Sequence, residues 1–290
     1  MTPTLCCIIL SWNAAPYLAR CFDSFMAAFD REGIDYSFHV VDNGSTDGSV
    51  AEIKSYLSRF PEHFSATFFH KNHGTTVSRN EALRRSASTH VAFLDADTAF
   101  LDGSIKDILM ALDRRSDIGI IAPQLLCADG SVQPSVKRFP TMVQKLAKLP
   151  GMLLGGSPAR RDFYPLAALT RPFWAETAIS AAWFFRRDLV DTVGLLDEAI
   201  FYAPEDLDYC VRVWKHGKKI LYYPAVRFHH CTQQVSHKRP FSFLAGSHLT
   251  GLLRYYGKHG GWFSTAHLRQ WLPREKDAVD PAGDMKWDVS

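Results

Sequence analysis

The 290-residue chain is 47% hydrophobic and 22% charged, enough to bury a sizeable core as one large or two small domains. Its formal net charge of +3 and pI near 8.5 are too mild to point to nucleic acid, although they suit an anionic ligand or weak attraction to an acidic membrane surface. Six scattered cysteines (Cys6, Cys7, Cys21, Cys127, Cys210, Cys231) form no CxxC pair, the N-terminus has no basic-then-apolar leader, and no apolar run reaches about 18 residues, so the expectation is a reduced, cytoplasmic protein with no membrane-spanning helix.

Over residues 1–122 short apolar runs alternate with longer amphipathic segments, the pattern of parallel strands joined by crossover helices in an α/β fold. Residues 5–10 read as a buried strand, 16–29 as a helix, 37–41 as a strand, 49–60 as a helix, 66–70 as a strand, 75–87 as a helix and 91–94 as a strand. One more helix (103–114) and strand (118–121) follow, then a hairpin from 124–127 to 132–134 around Asp129-Gly130. Residues 137–175 are rich in Pro, Gly, Lys and Arg without a sustained period. They read as an irregular loop, either a donor-closing lid carrying Lys137, Arg138, Arg160 and Arg161 or a solvated basic loop. The segment 202–208 opens a helix that runs to His216-Gly217, and two short strands, 219–223 and 226–229, flank Pro224. Residues 241–259 have helical spacing, and 273–290 read as a mobile polar tail.

The segment 91–97 ends a strand with Asp95 and Asp97 one residue apart. If the extended geometry persists, the two carboxylates project to the same face, and closely placed oxygens are what a hard divalent cation takes. Acids at such a junction also serve as solvated or capping groups, so their company decides. That company is a series of polar strand ends, where open α/β sheets bind ligands. Ser11-Trp12-Asn13 follows the first strand and Asp42-Asn43-Gly44-Ser45-Thr46-Asp47-Gly48 the second, the latter also readable as an ordinary capped turn. After the third come Asn72-His73-Gly74 and then Arg79-Asn80, where N–H groups and a guanidinium could meet a phosphate, or where Arg79 is simply solvated. Neither GxGxxG nor GxxxxGK[ST] occurs, which removes the best support for dinucleotide redox chemistry and P-loop phosphoryl transfer. Downstream, Glu205, Asp206 and Asp208 fall in a first helical turn, where the helix dipole favours acids whatever else they do.

In order and spacing these pieces resemble the family 2 glycosyltransferases of the GT-A fold, particularly the bacterial branch containing rhamnosyltransferases. The matching residues include Ile8 to Asn13, Val41 to Ser49, Asn72-His73-Gly74 with Arg79-Asn80, Phe93 to Thr98, Arg186-Arg187, Val193 to Glu198, Pro204 to Arg212 and Pro224 to His230. The resemblance implies a mixed, mostly parallel central sheet flanked by helices. It divides the chain into a catalytic domain 1–235 (nucleotide half 1–122, acceptor half 123–235), a helical extension 236–272 and a tail. It also implies that Asp42 and Asn43 contact the base, that Ser11 and Asn13 line its pocket, and that Asn72, Arg79 and Asn80 belong to the nucleotide site. Asp97 would bind the metal on the diphosphate, with Asp95 beside the ribose or metal, and His230 would add a ligand, His229 being the adjacent alternative. Asp206 would be the catalytic base, with Glu205 as second candidate or acceptor contact and Asp208 structural. Related polysaccharide enzymes often have Asn-Pro-Asp where this chain has Asp-Ala-Asp, and the extra carboxylate argues for a real metal requirement. An imidazole beside carboxylates suits Mn²⁺ better than Mg²⁺.

The expected activity is inverting, metal-dependent transfer of a sugar, rhamnose by the branch resembled, from a dTDP- or UDP-sugar to a hydroxyl of a cell-surface glycan or lipid-linked acceptor. A cation bridging the diphosphate stabilises the charge that accumulates as the glycosidic bond breaks. Two other readings are a nucleotidyltransferase, which would have no need of Glu205-Asp206, and a nucleotide-sugar-binding scaffold without turnover. The helix at 241–259 is either packed on the domain or interfacial, with Trp262, Phe263 and Trp271 as aromatic anchors for peripheral membrane contact.

Overall fold

The computed structural model describes residues 2–147, 162–231 and 243–273 of the chain. Arg160, Arg161 and the tail from residue 274 onward lie outside the described residues.

Strands β1 (Leu5–Ser11), β2 (Tyr36–Asp42), β3 (Phe64–Phe68) and β4 (His90–Asp95) alternate with helices α1 (Ala15–Glu32), α2 (Ser49–Arg59) and α3 (Thr75–Arg85). Pro16 sits in the first turn of α1, where its missing N–H costs nothing, and the helix stops at Gly33 in the left-handed region. Phe22 on its buried stripe meets Phe38, Tyr56 and Phe64 edge-on, with ring separations of 6.0, 4.8 and 5.1 Å. Burying one such ring contributes about 1.5–3 kcal/mol.

Next come β5 (Thr98–Asp102), α4 (Ile105–Arg114), β6 (Ile118–Leu126), β7 (Val136–Lys137), α5 (Met142–Leu146) and a 3₁₀ turn (Leu166–Thr170). They are followed by β8 (Phe173–Trp174), β9 (Thr177–Ala178), β10 (Ala182–Arg186), α6 (Leu189–Val193), α7 (Glu205–Lys215), β11 (Lys219–His230), α8 (Phe243–His259) and α9 (Ala266–Arg269). The main sheet has the order β3-β2-β1-β4-β10-β6-β11-β5, with β8 beside β11. Strands β1 to β4 pair in parallel, as do β6 and β11, whereas β10 is antiparallel to both β4 and β6. Because strand side chains alternate, Cys7 and Ile9 enter one apolar core with α1, α2 and α4, while Cys6 and Ile8 enter the other with α3, α6 and α7. This is the mixed, mostly parallel sheet flanked by helices that the resemblance implies.

Several boundaries differ from the sequence reading. β3 covers Phe64–Phe68 rather than 66–70, pairing from Phe38↔Phe64 to Asp42↔Phe68. β6 does not stop at 121 but continues to Leu126 because β11 pairs along it, which leaves the expected hairpin as a tight turn closed by one bridge, Leu126↔Val132. The two strands expected around Pro224 are a single strand, β11, whose register shifts between Tyr223 and Arg227 and so accommodates a residue without an N–H. Residues 137–175 are not uniformly irregular: α5 carries a reciprocal cap between Thr141 and Gln144, and Lys137 and Arg138 lie over the rings of Phe163 and Tyr164 at 5.1 and 5.3 Å. β10 has no counterpart in the sequence reading. Its Ala-Trp-Phe-Phe run is buried on both faces and so lacks the alternation that marks a half-exposed strand.

Helix α8 is seated on the domain. A Cβ at Gly251 would come within 2.2 Å of the Ala203 carbonyl oxygen, so glycine permits the close crossing. Near its end, Arg254 and Lys258 pair with Asp197, and Lys258 and His259 reach Asp208 at 2.7 and 2.8 Å. Asp208 also takes Arg212 at 2.9 Å, and although burial opposes ionisation, these partners hold its carboxyl well below the usual range.

Candidate active site

The register brings the polar strand ends to one edge of the sheet. Ser11 lies opposite Asp42 and Leu10 opposite Asp95, while the antiparallel β10 begins at this same edge and accepts the Asp95 N–H at Ala181 O, 2.9 Å. β11 ends here too, with His230 opposite Thr98.

Asp95 and Asp97 do not meet by extended alternation, because β4 ends at Asp95 and residues 96–97 form a turn into β5. The turn is pinned by Thr98 Oγ1 donating to Asp95 O at 2.7 Å and by Cys231 N donating to Asp97 O at 3.0 Å. Asp95, Asp97 and His230 thereby each offer a ligand atom, all within 4.8 Å of one another. His230 Nε2 is 3.3 Å from Asp97 Oδ1, and its Nδ1 is 2.8 Å from Gln133 Oε1. Burial alone would lower the imidazole pKa, but the hydrogen bond to Asp97 and the charges of Asp97 and Asp95 raise it above its ordinary value. His229 is not among the three clustered groups.

At the β1 and β2 ends, Asp42 is buried and accepts from Ser11 Oγ (3.2 Å), Ser45 N (2.9 Å) and Ser45 Oγ (2.6 Å). Asn13 is in the left-handed region at φ 52°, a conformation asparagine tolerates, and its Oδ1 accepts from Thr46 N at 2.8 Å. Asn43 is buried, with its amide donating to Asn72 Oδ1 (2.8 Å) and Gly74 O (3.3 Å) and its carbonyl accepting from His73 N (2.8 Å). Gly74 has φ 88°, and a Cβ there would lie 2.2 Å from Phe201 O, so this loop docks closely on the segment leading to α7. Asn80 is also buried and clamps residues 196–198 through Leu196 O, Leu196 N and Glu198 Oε1, at 2.9, 3.0 and 2.9 Å.

Arg79 joins the two halves of the site. Only 2% exposed, it donates to Asp95 Oδ1 at 2.7 Å, to Ser180 Oγ at 2.6 Å, to Ser180 O at 3.0 Å and to Glu205 Oε1 at 3.4 Å, with its guanidinium over the Phe93 ring. The sequence reading placed Arg79 at a phosphate or in solvent; the folded chain commits its N–H groups to two carboxylates that lie far apart in sequence. Loss of solvent raises Asp95, Arg79 draws it back and the Asp97 charge adds to the rise. Glu205 is buried, and desolvation followed by the charge of Asp206 pushes it up to about 8, against the pull of Arg79 and the hydrogen bond from Ser180 Oγ at 2.8 Å. Asp206 is partly exposed, with Oδ1 accepting only from Leu207 N at 2.8 Å among the described residues. Ser180 and Gln133 escaped sequence reasoning. Ser180 precedes a strand that carried no signal, and Gln133 sits in a turn with no motif.

Residues 6–194 match the sequence profile of the family described as "Glycosyl transferase family 2". The chain is 25% identical to an N-acetylglucosaminyl-diphospho-decaprenol L-rhamnosyltransferase of Mycobacterium tuberculosis, over 91% of its own length and 87% of that protein. It is 33% identical to the succinoglycan biosynthesis protein ExoU of Rhizobium meliloti over a shorter stretch, 37% of this chain and 30% of that one. Among solved structures, GalNAc-T7 with UDP, GalNAc and Mn²⁺ superposes with a TM-score of 0.69 at 14% identity, over 94% of this chain and 52% of that one. The mannosyltransferase PcManGT from Pyrobaculum calidifontis, with GDP-Man and Mn²⁺, gives 0.59 at 14% identity, over 94% and 73% of the two chains. At such identities the superpositions speak to the fold, which is GT-A. With the profile spanning well over half of its length, the chain is a glycosyltransferase and belongs to glycosyl transferase family 2.

Proposed function

We propose that the site transfers a sugar from a metal-bound nucleoside diphosphate donor to an acceptor hydroxyl, in one in-line displacement with inversion. The observation that carries this reading is the meeting, across Arg79, of the Asp95–Asp97–His230 cluster with the Glu205-Asp206 pair. Two carboxylates and an imidazole fit Mn²⁺ better than Mg²⁺. Donors held about 2.1 Å from a common ion lie about 3–4.2 Å apart, so a cluster within 4.8 Å needs little adjustment. A bound ion would stabilise the charge developing on the leaving diphosphate.

The remaining work falls to the chain itself. Ser11, Asn13 and Asp42 shape the base pocket, while Asn43 and Asn72 hold the neighbouring loop and Asn80 fixes the approach to α7. Asp206 accepts the proton of the acceptor hydroxyl as its oxygen attacks the anomeric carbon. Glu205, neutral near pH 7, is not available for that role and serves the acceptor side of the pocket. Residues 1–235 act as the catalytic unit, with α8 braced against it through Asp197 and Asp208.

The finer reading is rhamnosyl transfer to a lipid-linked acceptor, supported by the likeness along most of the chain to the mycobacterial N-acetylglucosaminyl-diphospho-decaprenol L-rhamnosyltransferase. No described helix is long and apolar enough to cross a membrane. Exposed Val143 and Leu146 lie beside Trp262 and the 87% exposed Phe263, because α5 donates Met142 N to Gly261 O and Val143 N to Trp262 O. Such a face suits shallow contact with a bilayer holding the acceptor. The double variant Trp262→Ser, Phe263→Ser is expected to lose cosedimentation with phosphatidylglycerol vesicles while keeping its circular dichroism. Binding equal to wild type would remove this face from the reading.

Calorimetry with UDP, dTDP and GDP, with and without Mn²⁺, tests the donor site. One nucleotide is expected to bind only with the metal, and Asp97→Asn to weaken it at least about tenfold. Absence of binding to all three would defeat the proposal.

A further inference from the structure

The metal reading leaves one question about His230: what makes Nε2, rather than Nδ1, the nitrogen that would exchange its hydrogen bond to Asp97 for a cation. A neutral imidazole carries one proton, and whichever nitrogen donates a hydrogen bond leaves the other to act as ligand. His230 Nε2 is the nitrogen turned to Asp97, at 3.3 Å, and the ring is buried, so solvent cannot fix the tautomer. Among the described residues Nδ1 has one partner, the side chain of Gln133 at 2.8 Å.

We propose that Gln133 is the positioning residue of the metal site: its side-chain carbonyl accepts the Nδ1–H of His230, which holds the ring in place and leaves Nε2 for the cation. A glutamine suits this task because it accepts a hydrogen bond without adding a third negative charge beside Asp95 and Asp97. The opposite amide orientation would set an NH₂ donor against the Nδ1–H, so the ligating tautomer itself selects the carbonyl.

The backbone explains how a turn residue comes to do this. Gln133 N donates to Leu125 O at 2.8 Å and Ser135 N to Gln133 O at 2.7 Å, folding the turn back over the end of β6. There β6 lies beside β11 in the register Leu125↔Phe228 and Leu126↔His229, one residue from His230. Gln133 and His230 are 97 residues apart in sequence, yet both are held by the same strand pair. Partners of this kind orient ligating histidines elsewhere, and their loss typically weakens metal binding about 10–100-fold.

This inference rests on the metal-site reading, and the test separates the two. Mn²⁺ binding would be followed by the loss of its free-ion electron paramagnetic resonance signal, alone and with UDP, dTDP or GDP, in wild type, Gln133→Leu, Gln133→Glu and Asp97→Asn. Gln133→Leu is expected to bind Mn²⁺ about 10–100-fold more weakly. Gln133→Glu, which keeps the acceptor, should bind at least as tightly as wild type. Wild-type affinity in Gln133→Leu, alongside lost affinity in Asp97→Asn, would overturn the role of Gln133 and leave the metal site standing. Equal losses in Leu and Glu variants would overturn it too, since packing and not an acceptor would then be the cause. No binding by wild type under any condition would overturn both. A readout independent of variants is the ¹⁵N spectrum of His230 with Mg²⁺ bound: Nδ1 is expected to be the protonated nitrogen, and the reverse pattern would sink the proposal.

Discussion

Asp206→Asn should slow sugar transfer by about 10²–10⁴-fold, the usual cost of removing a general base, while nucleotide binding stays near the wild-type value. The asparagine keeps the shape of a partly exposed side chain at the head of α7 but cannot accept the acceptor's proton. Glu205→Gln supplies the contrast. With its carboxyl pushed up to about 8, Glu205 is neutral near pH 7, and glutamine reproduces that state and its hydrogen bond from Ser180. Transfer in this variant should stay within about tenfold of wild type, well short of the loss expected for a base. The two variants also differ in what they do to the pH dependence of stability. Glu205 holds its proton more tightly folded than unfolded, so its contribution is fully present below its ordinary value of 4.5 and is lost as pH rises to about 8. The melting temperature of Glu205→Gln, relative to wild type, should therefore climb between pH 5 and pH 8 and then level off. A flat difference would mean that Glu205 is ionised in the fold, and wild-type turnover by Asp206→Asn would remove that residue from the chemistry.

Arg79→Met should cost about 1–3 kcal/mol of stability, because it removes the buried guanidinium and leaves its hydrogen-bond acceptors without their donor. Asp95, Glu205 and the Ser180 carbonyl would all lose a donor, and the methionine cannot replace the guanidinium over Phe93. Lysine is no remedy, since one ammonium cannot span groups that the planar fork reaches from two nitrogens. Urea denaturation would measure the loss. At pH 7, adding Glu205→Gln should recover little of it, because glutamine only reproduces the neutral carboxyl already there. A double variant much more stable than Arg79→Met would show that Glu205 is ionised beside that arginine.

The nucleotide half of the fold was legible in the sequence because its signals are local. An apolar run, a polar strand end and a capped helix repeat within a few dozen residues, and Asp95 and Asp97 stand together in the chain. Glu205 and Asp206 were legible for the same reason. Arg79 was visible but its partners were not: Ser180 and Glu205 lie 101 and 126 positions away. The clustering of Asp95 with Asp97 was expected for a reason that the fold does not use, since a turn and the pairing of β5 with β11 bring them to His230. Gln133 and Ser180 had no signal, as a single polar residue in a turn acquires its meaning only from what the sheet places opposite it. Strand β10 was missed because burial on both faces erases alternation, and five residues are too few to distinguish strand from helix by length.

That strand also governs the order in which the molecule can assemble. β4 and β6 flank β10 in the finished sheet, but β10 begins more than fifty residues after β6 ends. A nascent chain leaving the ribosome therefore holds two strand edges with unpaired N–H and C=O groups until Ala182–Arg186 arrives to bond with both. Such late, long-range pairing slows folding and exposes sticky edges meanwhile. The two halves of the site are thus unsuited to separate expression, because the strand that completes the first is encoded within the second.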